Sequence, residues 1–258
     1  MSDTTAGLRH VEHVMGSVFS FDIRDEPTPA VRRALDEAVH HLHRIDEVFS
    51  TYRPDSCISR LGRGEIRRED CPSEVLEVLF LCAHAARVSD GWFSIVPEGT
   101  LDPSGLVKGW AVEAASRILH EAGAHDTCVN GGGDIQIRGR AAPATPWRIG
   151  VAHPLRPGEL VTVVTAHDDL AVATSGTAER GAHIVDPFTG RPATALAALA
   201  SLTLVGPRLT LTDTYATAAF ARGDGARDWL EGLHGYEALA VTPDGGEWRT
   251  TGFHRYGS

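Results

Sequence analysis

The sequence predicts an α+β protein. Helical periodicity dominates the first half of the chain, whereas short apolar and β-branched runs, divided by glycine and proline, dominate the second half. The chain has 258 residues, of which 42% are hydrophobic and 27 are glycine. That length supports one substantial core. Neither an internal repeat nor a low-complexity linker divides the chain, so we expect residues 1–258 to form a single domain.

The first half begins with a predicted strand and continues as helices. Residues 14–23 alternate partly between apolar and polar side chains, which is typical of a strand. Apolar residues then recur at steps of three and four from Val31 to Phe49, which places them on one face of a helix. A second helix is expected to start near Ser73, a suitable N-cap, and to stop at Gly91. A third is expected from about Leu106 to Ala122.

The second half is predicted to consist mostly of strands. The runs that we interpret as strands are 126–130, 135–138, 147–152, 160–166, 171–174 and 201–205. A helix is expected at about 212–221, followed by a short one near 226–233. The last two runs, 237–242 and 247–251, are joined by PDGG and predict a β-hairpin.

Charge and cysteine content narrow the function classes. The formal net charge of −10 argues against a nucleic-acid partner, because non-specific binding depends on Lys and Arg neutralising phosphates. The four cysteines match no zinc spacing and are expected to be free thiols, which suits a reducing compartment. Residues 1–13 lack the apolar run of a secretory signal, and no stretch is long and apolar enough for a membrane span. We therefore expect a cytoplasmic protein.

The segment DPSGLVKGW, Asp102–Trp110, is the first candidate for ligand binding. A turn of small residues leads directly into a helix, whose N-terminus attracts an anion. Lys108 would lie in the first turn, where a cation is unfavourable unless an anionic ligand is bound. The segment is not a P-loop, because Gly-Trp follows the lysine. An ordinary loop with Ser104 as the helix cap is the alternative.

Two glycine-containing segments offer further candidates. VNGGGDI, Asn130–Ile135, allows a flat or anionic ligand to approach the backbone, although a plain hairpin turn would look the same. The segment from Ala173 to Pro192 gathers many polar residues in one loop after a strand. Within it, Arg180 suits a phosphate, and His183 could donate to a phosphate oxygen or move a proton. Its DPFTG stretch also forms a good turn by itself.

The segment LTDTYAT places a carboxylate and a hydroxyl four residues apart. On a helix, Asp213 and Thr217 share one face, and Mg²⁺ and Ca²⁺ prefer such oxygen ligands. The alternative is that Asp213 caps the helix and Thr217 packs its methyl group inward.

Taken together and in order, these segments resemble the ApbE family, the FAD:protein FMN transferases. The matching segments are Met15-Gly16, Phe49–Leu61, Asp102–Gly109, Asn130–Asp134, Thr174–Pro192 and Thr212–Thr217. They extend over nearly the whole chain. The block from TSG to TGRP is the most specific of them.

The resemblance implies an α+β domain, with a mixed or antiparallel sheet and packed helices, that binds FAD as its substrate. The residues it implies for cofactor binding are Met15, Tyr52, Asp102, Ser104, Lys108, Thr174, Ser175, Gly176 and Val185. It also implies Mg²⁺ or another divalent metal, held by Asp213, Thr217 and the carbonyl groups of Gly105 and Ala216. Arg180 and His183 resemble groups near the pyrophosphate, and with Asp213 they are the expected catalytic residues.

The activity that the resemblance implies is phosphoryl transfer. A Thr or Ser hydroxyl of an acceptor flavoprotein would attack the FMN-side phosphorus of FAD, and AMP would leave. Asp213 or His183 would take the proton of the hydroxyl. An FAD pyrophosphatase, with water in place of the acceptor, and an FAD-binding protein without catalysis are the alternatives.

Two features depart from the family pattern. Family members are often exported lipoproteins, whereas this sequence shows no export signal. The stretch from Trp92 to Asp102 is also short, and it begins with Phe93-Ser94 where the family has an FD pair.

Overall fold

The structure is a computed structural model that describes residues 7–96, 99–176, 184–193 and 198–257. Its helices are α1 (Pro29–Phe49), α2 (Cys57–Gly62), α3 (Ser73–Val88), α4 (Ser104–Glu121), α5 (Leu209–Arg222) and α6 (Ala226–Glu231). Its strands are β1 (Leu8–Val14), β2 (Ser17–Ile23), β3 (Thr127–Gly131), β4 (Asp134–Arg138), β5 (Trp147–Ala152), β6 (Leu160–Ala166), β7 (Leu170–Gly176), β8 (Ser201–Gly206), β9 (Glu237–Val241) and β10 (Glu247–Arg249). The α+β class is confirmed.

Eight strands form one sheet in the order β1-β2-β3-β4-β7-β8-β9-β10. Each neighbouring pair is antiparallel. The remaining strands, β5 and β6, form a separate two-stranded antiparallel sheet, which we call the ribbon. The chain enters the ribbon after β4 and returns to the large sheet at β7, so the ribbon connects two neighbouring strands of that sheet.

Helices cover one face of the large sheet. Thr28 accepts a hydrogen bond from the Val31 backbone and caps α1, and Pro29 occupies the first turn, where its missing N–H has no cost. The buried residues of α1 lie on one face, as their spacing predicted. α4 and α5 are buried over most of their length and lie between the sheet and the outer helices. This layer contains the larger core.

The ribbon covers part of the opposite face. Ile135 and Ile137 of β4 point to this side and pack in a second core with Trp147, Val164 and Phe253. The side chains between them on β4 point towards the helices, because successive residues of a strand face opposite ways. The large sheet thus separates an apolar ribbon side from a helix side that also takes polar groups.

The structure corrects the predicted start of the chain. Residues 14–23 are not one strand: Met15 and Gly16, with φ of 55° and 65°, form a tight turn between β1 and β2. β1 was missed because its HVEHV pattern has exposed polar residues at the sheet edge. The helix α2 was also missed. α3 does begin at Ser73, but its N-cap is Pro72, with no capping side chain.

The structure also bears on the predictions about the cysteines and about membrane-spanning segments. The four cysteines, Cys57, Cys71, Cys82 and Cys128, are free, as predicted. Within the described ranges, no helix is long and apolar enough to cross a membrane.

Candidate active site

A cavity of about 390 Å³ opens at one end of the large sheet, where α4, the β3–β4 turn, the end of β7 and the ribbon meet. This volume lies in the range of small-molecule sites. Two groups of residues with different chemistry surround it, and we call them walls. On the helix side, Lys108 and Thr217 line the cavity and Asp134 and Asp213 lie behind the lysine, and these four residues form the charged wall. The ribbon wall consists of Ile149, Val151, His153 and Pro154.

Three buried charges form the charged wall. Lys108 donates from Nζ to Asp134 and lies 3.5 Å from Oδ1 of Asp213. The side chains of Asp134 and Asp213 are 2% and 5% exposed, and that of Lys108 is 19% exposed. Asp134 Oδ1 also accepts the Thr174 backbone N–H at 2.9 Å. One lysine therefore serves two carboxylates, which leaves an excess negative charge in a buried place.

The excess negative charge affects the pKa of Asp213. Burial raises the pKa of Asp213 to about 7, the Lys108 charge opposes this rise, and the Asp134 charge adds to it. Oδ2 of Asp213 is buried against the Gly109 backbone of α4, and no described group forms a hydrogen bond of good geometry with it. A buried oxygen without a partner is costly unless a ligand satisfies it. Thr217, one helical turn later, lines the cavity with its side chain.

The start of α4 forms the floor beside the charged wall. Asp102 Oδ1 accepts the Ser104 backbone N–H at 2.9 Å, so Asp102, not Ser104, satisfies the helix end. Asp102, Ser104 and Gly105 all line the cavity. A β-carbon at Gly105 would lie 3.3 Å from the Phe93 ring, so glycine avoids a close contact at this part of the cavity. Lys108 is the fifth residue of α4, two residues further into the helix than the sequence predicted, because α4 begins at Ser104.

The end of β7 and Val185 contribute a further part of the cavity lining. Thr174, Ser175 and Gly176, the last residues of β7, line the cavity, and so does Val185. Asp186 holds the following turn by accepting from the Phe188 backbone at 2.8 Å. Burial alone would raise the pKa of Asp186, but hydrogen bonds from the Phe188 backbone and Thr189 leave it lowered. Asp186 therefore has the structural role that the DPFTG turn pattern offered as an alternative.

The structure brings most of the predicted site residues together. Those that line the cavity are Asp102, Ser104, Gly105, Lys108, Thr174, Ser175, Gly176, Val185 and Thr217. Asp213 lies directly behind Lys108, and Ala216 is fully buried beside Thr217. The capping alternative for Asp213 is wrong, because α5 begins at Leu209 and Asp213 lies inside it.

Two described residues that were predicted to bind the flavin, Met15 and Tyr52, do not line the cavity. Met15 lies in the β1–β2 turn, and the side chain of Tyr52 is 96% exposed in the loop after α1. Neither belongs to the described cavity lining, and their roles in flavin binding stay predictions. Arg180 and His183 lie outside the described residues.

Two residues of the cavity were not singled out by sequence reasoning. Asp134 had a detectable pattern: on β4, Asp134 and Gln136 alternate with two isoleucines, which places both polar groups on the helix side. No sequence pattern predicted the pairing of Asp134 with Lys108, 26 positions earlier. His153 lies in the HPLRPGE turn of the ribbon, which resembles an ordinary surface loop in sequence.

Comparison with known proteins decides the family. The family model described as ApbE family matches residues 15–98 and 96–240. The chain belongs to the ApbE family. It is 31% identical over 137 residues to an FAD:protein FMN transferase of Vibrio cholerae, which is 50% of this chain and 40% of that protein. It is 32% identical over 160 residues to one of Rhodobacter capsulatus, or 58% of this chain and 29% of that protein. The chain thus spans less than half the length of these ApbE relatives in the matched regions.

Solved ApbE structures share the fold. A flavin transferase ApbE from Vibrio cholerae superposes with a TM-score of 0.82 at 19% identity, covering 97% of this chain and 100% of that one. An ApbE protein from Thermotoga maritima gives 0.85 at 20% identity, over 98% and 100% of the two chains. The apo form of a Pseudomonas stutzeri flavinyl transferase ApbE gives 0.84 at 21% identity over the whole of both chains. At these identities the likeness establishes the ApbE fold.

Proposed function

We propose that this chain is an FAD:protein FMN transferase that attaches FMN from FAD to a Thr or Ser hydroxyl of an acceptor flavoprotein. One observation carries the proposal: the cavity is lined both by Lys108, which pairs with the buried Asp134 and Asp213 behind it, and by the apolar residues of the ribbon wall. A dinucleotide needs both surfaces, because its pyrophosphate is charged and its rings are flat and apolar. Family membership supports the same function. We also propose that residues 1–258 act as one domain in the cytoplasm.

The charged wall fits a divalent metal such as Mg²⁺. Oδ2 of Asp213 is buried without a partner, and the Thr217 hydroxyl lies one turn away on the same helix face. Hydroxyl, carboxylate and carbonyl oxygens suit a hard cation. The described residues contain no cluster of three or more His, Cys, Asp or Glu, which agrees with a site completed by the carbonyl groups of Gly105 and Ala216. A bound metal would neutralise charge on the pyrophosphate oxygens.

The protein's own groups then orient the reaction. Lys108 faces the transferred phosphate and is held there by Asp134. The acceptor oxygen forms a bond to the FMN-side phosphorus while the bond to the AMP oxygen breaks, and the hydroxyl proton passes to a base. We propose Asp213 or His183 as that base and Arg180 as a further phosphate contact, following the family pattern. Met15 and the cavity-lining residues Asp102, Ser104, Thr174, Ser175, Gly176 and Val185 are the proposed flavin contacts. Tyr52, which is 96% exposed, is proposed as a peripheral contact with little effect on affinity.

The test combines purified protein, FAD, Mg²⁺ and a flavoprotein subunit that carries a Thr acceptor site. Intact-mass spectrometry of the acceptor and an assay of AMP are the measurements. We expect the acceptor to gain one FMN unit, with one AMP released. An acceptor with its Thr replaced by Ala and a reaction with chelator are the controls. Free FMN with AMP and an unmodified acceptor would indicate a pyrophosphatase, and intact FAD would contradict catalysis.

A further inference from the structure

His153 is a buried polar residue of the cavity that the proposed chemistry does not use. It follows β5 directly, and its backbone N–H donates to the Glu159 carbonyl oxygen at 2.9 Å, across the turn between the ribbon strands. The residue is only 6% exposed, yet its surface lines the cavity. The backbone of His153 is therefore fixed at the turn between the two ribbon strands, and the residue forms part of the cavity lining.

The local hydrogen bond of His153 assigns its ring tautomer. Nδ1 lies 3.1 Å from the Leu155 backbone nitrogen, which donates to it. Because Nδ1 accepts, the proton of the neutral ring is on Nε2. Within the described part of the chain, no protein group forms a hydrogen bond with Nε2. Nε2–H is therefore available to donate to an acceptor atom of a bound ligand.

The surroundings of His153 indicate the shape of the group that binds there. Ile149 and Val151 precede it on β5, and Ile135 and Val172 of the large sheet line the same part of the cavity. These apolar side chains suit the face of a flat ring, and the single N–H suits an acceptor atom at the ring edge.

We propose that His153 is a specificity-determining residue that donates its Nε2–H to an acceptor atom on the edge of a ring of FAD. The inference rests on the proposed function, because it takes FAD as the ligand. Both ring systems of FAD, the isoalloxazine and the adenine, carry nitrogen or carbonyl acceptors at their edges. A site with one fixed donor rejects rings that lack an acceptor at that place, because the donor would then stay unpaired.

Two amide substitutions separate a ligand role from a turn role. In His153→Gln the side-chain amide nitrogen reaches the place of Nε2 and keeps the donor. In His153→Asn the amide oxygen takes the place of Nδ1, so the bond from the Leu155 backbone is kept and the donor is lost. We expect His153→Asn to raise the Kd for FAD roughly tenfold and His153→Gln to stay within about threefold of the unchanged protein.

The measurement is equilibrium titration of each protein with FAD, FMN and AMP, with the thermal midpoint as a check of folding. A larger loss in His153→Asn for FMN than for AMP assigns the contact to the isoalloxazine, and the reverse assigns it to adenine. Equal losses for FMN and AMP would place the contact on phosphate and overturn the inference. Normal binding by His153→Asn, or losses in His153→Gln as large or larger, would also overturn it. Failure of the unchanged protein to bind FAD would instead contradict the proposed function itself.

Discussion

The charged wall and the ribbon wall enclose the same cavity but are built in opposite ways. The charged wall contains long-range ion pairs between α4, α5 and the first residue of β4, with two deeply buried carboxylates and a partly buried lysine. The ribbon wall consists of apolar side chains on two strands that are joined only to each other by backbone ladder bonds. One wall is stabilised by pairing of charge, and the other by hydrophobic packing against Ile135 and Ile137.

This difference predicts which wall affects the chemical step and which affects the affinity for the ligand. A buried charge acts strongly on phosphate because the surrounding dielectric is low, but each partner depends on the others. Apolar contacts act on the bound ring in the ground state and the transition state alike, and such uniform binding does not change the chemical step. We therefore expect substitutions in the charged wall to affect turnover and folding. Those in the ribbon wall should affect stability and ligand binding but not the chemical step.

The largest expected effect is that of Asp213→Asn. The amide keeps the shape but loses the charge that would hold a divalent metal, so we expect metal-dependent transfer to fall about a hundredfold or more. Acceptor mass gain over time is the measurement. Asp228→Asn, on the exposed surface of α6, is the matched control and should keep full activity. Full metal-dependent transfer by Asp213→Asn would show that the charged wall does not hold the metal.

The second effect concerns stability. Asp134→Asn removes the carboxylate that pairs most closely with Lys108, so the free energy of unfolding should fall by about 3 kcal/mol, measured by urea denaturation. The control is Asp169→Asn, which weakens a pair with Arg138 at 3.2 Å. Its carboxylate is 54% exposed, so we expect a loss below about 1 kcal/mol. Similar losses in the two variants would mean that burial does not distinguish these pairs.

A substitution in the ribbon wall is expected to have a smaller effect, which concerns ligand binding and not the transfer rate. Ile149→Ala removes apolar contact from a half-buried position, so binding of FAD should weaken by about 1 kcal/mol, or roughly fivefold. The transfer rate at saturating FAD should not change. Val11→Ala on the exposed edge strand is the control. A lower rate at saturating FAD would break the division of roles between the walls.

The smallest effect is expected for Tyr52→Ala. The side chain is 96% exposed and lies outside the described cavity lining, so FAD affinity should change less than twofold. Titration with FAD tests this. A change of tenfold would show that the loop after α1 reaches the ligand, as the family pattern implies.

Periodicity in the sequence predicted most elements of both layers. The strands β3 to β9 were found because β-branched runs ended at glycine or proline, and α1 was found from its repeated apolar face. The edge strand β1 escaped because a strand exposed on one side and at its edge does not require apolar residues. α2 escaped because six residues give too short a window for helical periodicity.

The site was predictable where residues act within one segment. Asp213 and Thr217 could be paired because a helix places residues four apart on one face. The link from Lys108 to Asp134 joins a helix to a strand, and His153 comes from a turn far along the chain. Such contacts depend on how the layers stack, and local spacing contains no information about that. Their discovery required the three-dimensional fold.

Gly109, next to Lys108, lies where α4 passes α5. A β-carbon there would lie 2.8 Å from the Leu209 carbonyl oxygen and 2.9 Å from the β-carbon of Asp213, so the two helix backbones touch at this residue. The lysine on one helix and the carboxylate on the other are consequently fixed by a backbone contact and not by flexible side chains alone. Sliding or tilting of either helix would carry both groups with it. We therefore expect the two helices to move together as one unit. Any movement that admits or releases a nucleotide is expected to occur in other parts of the cavity.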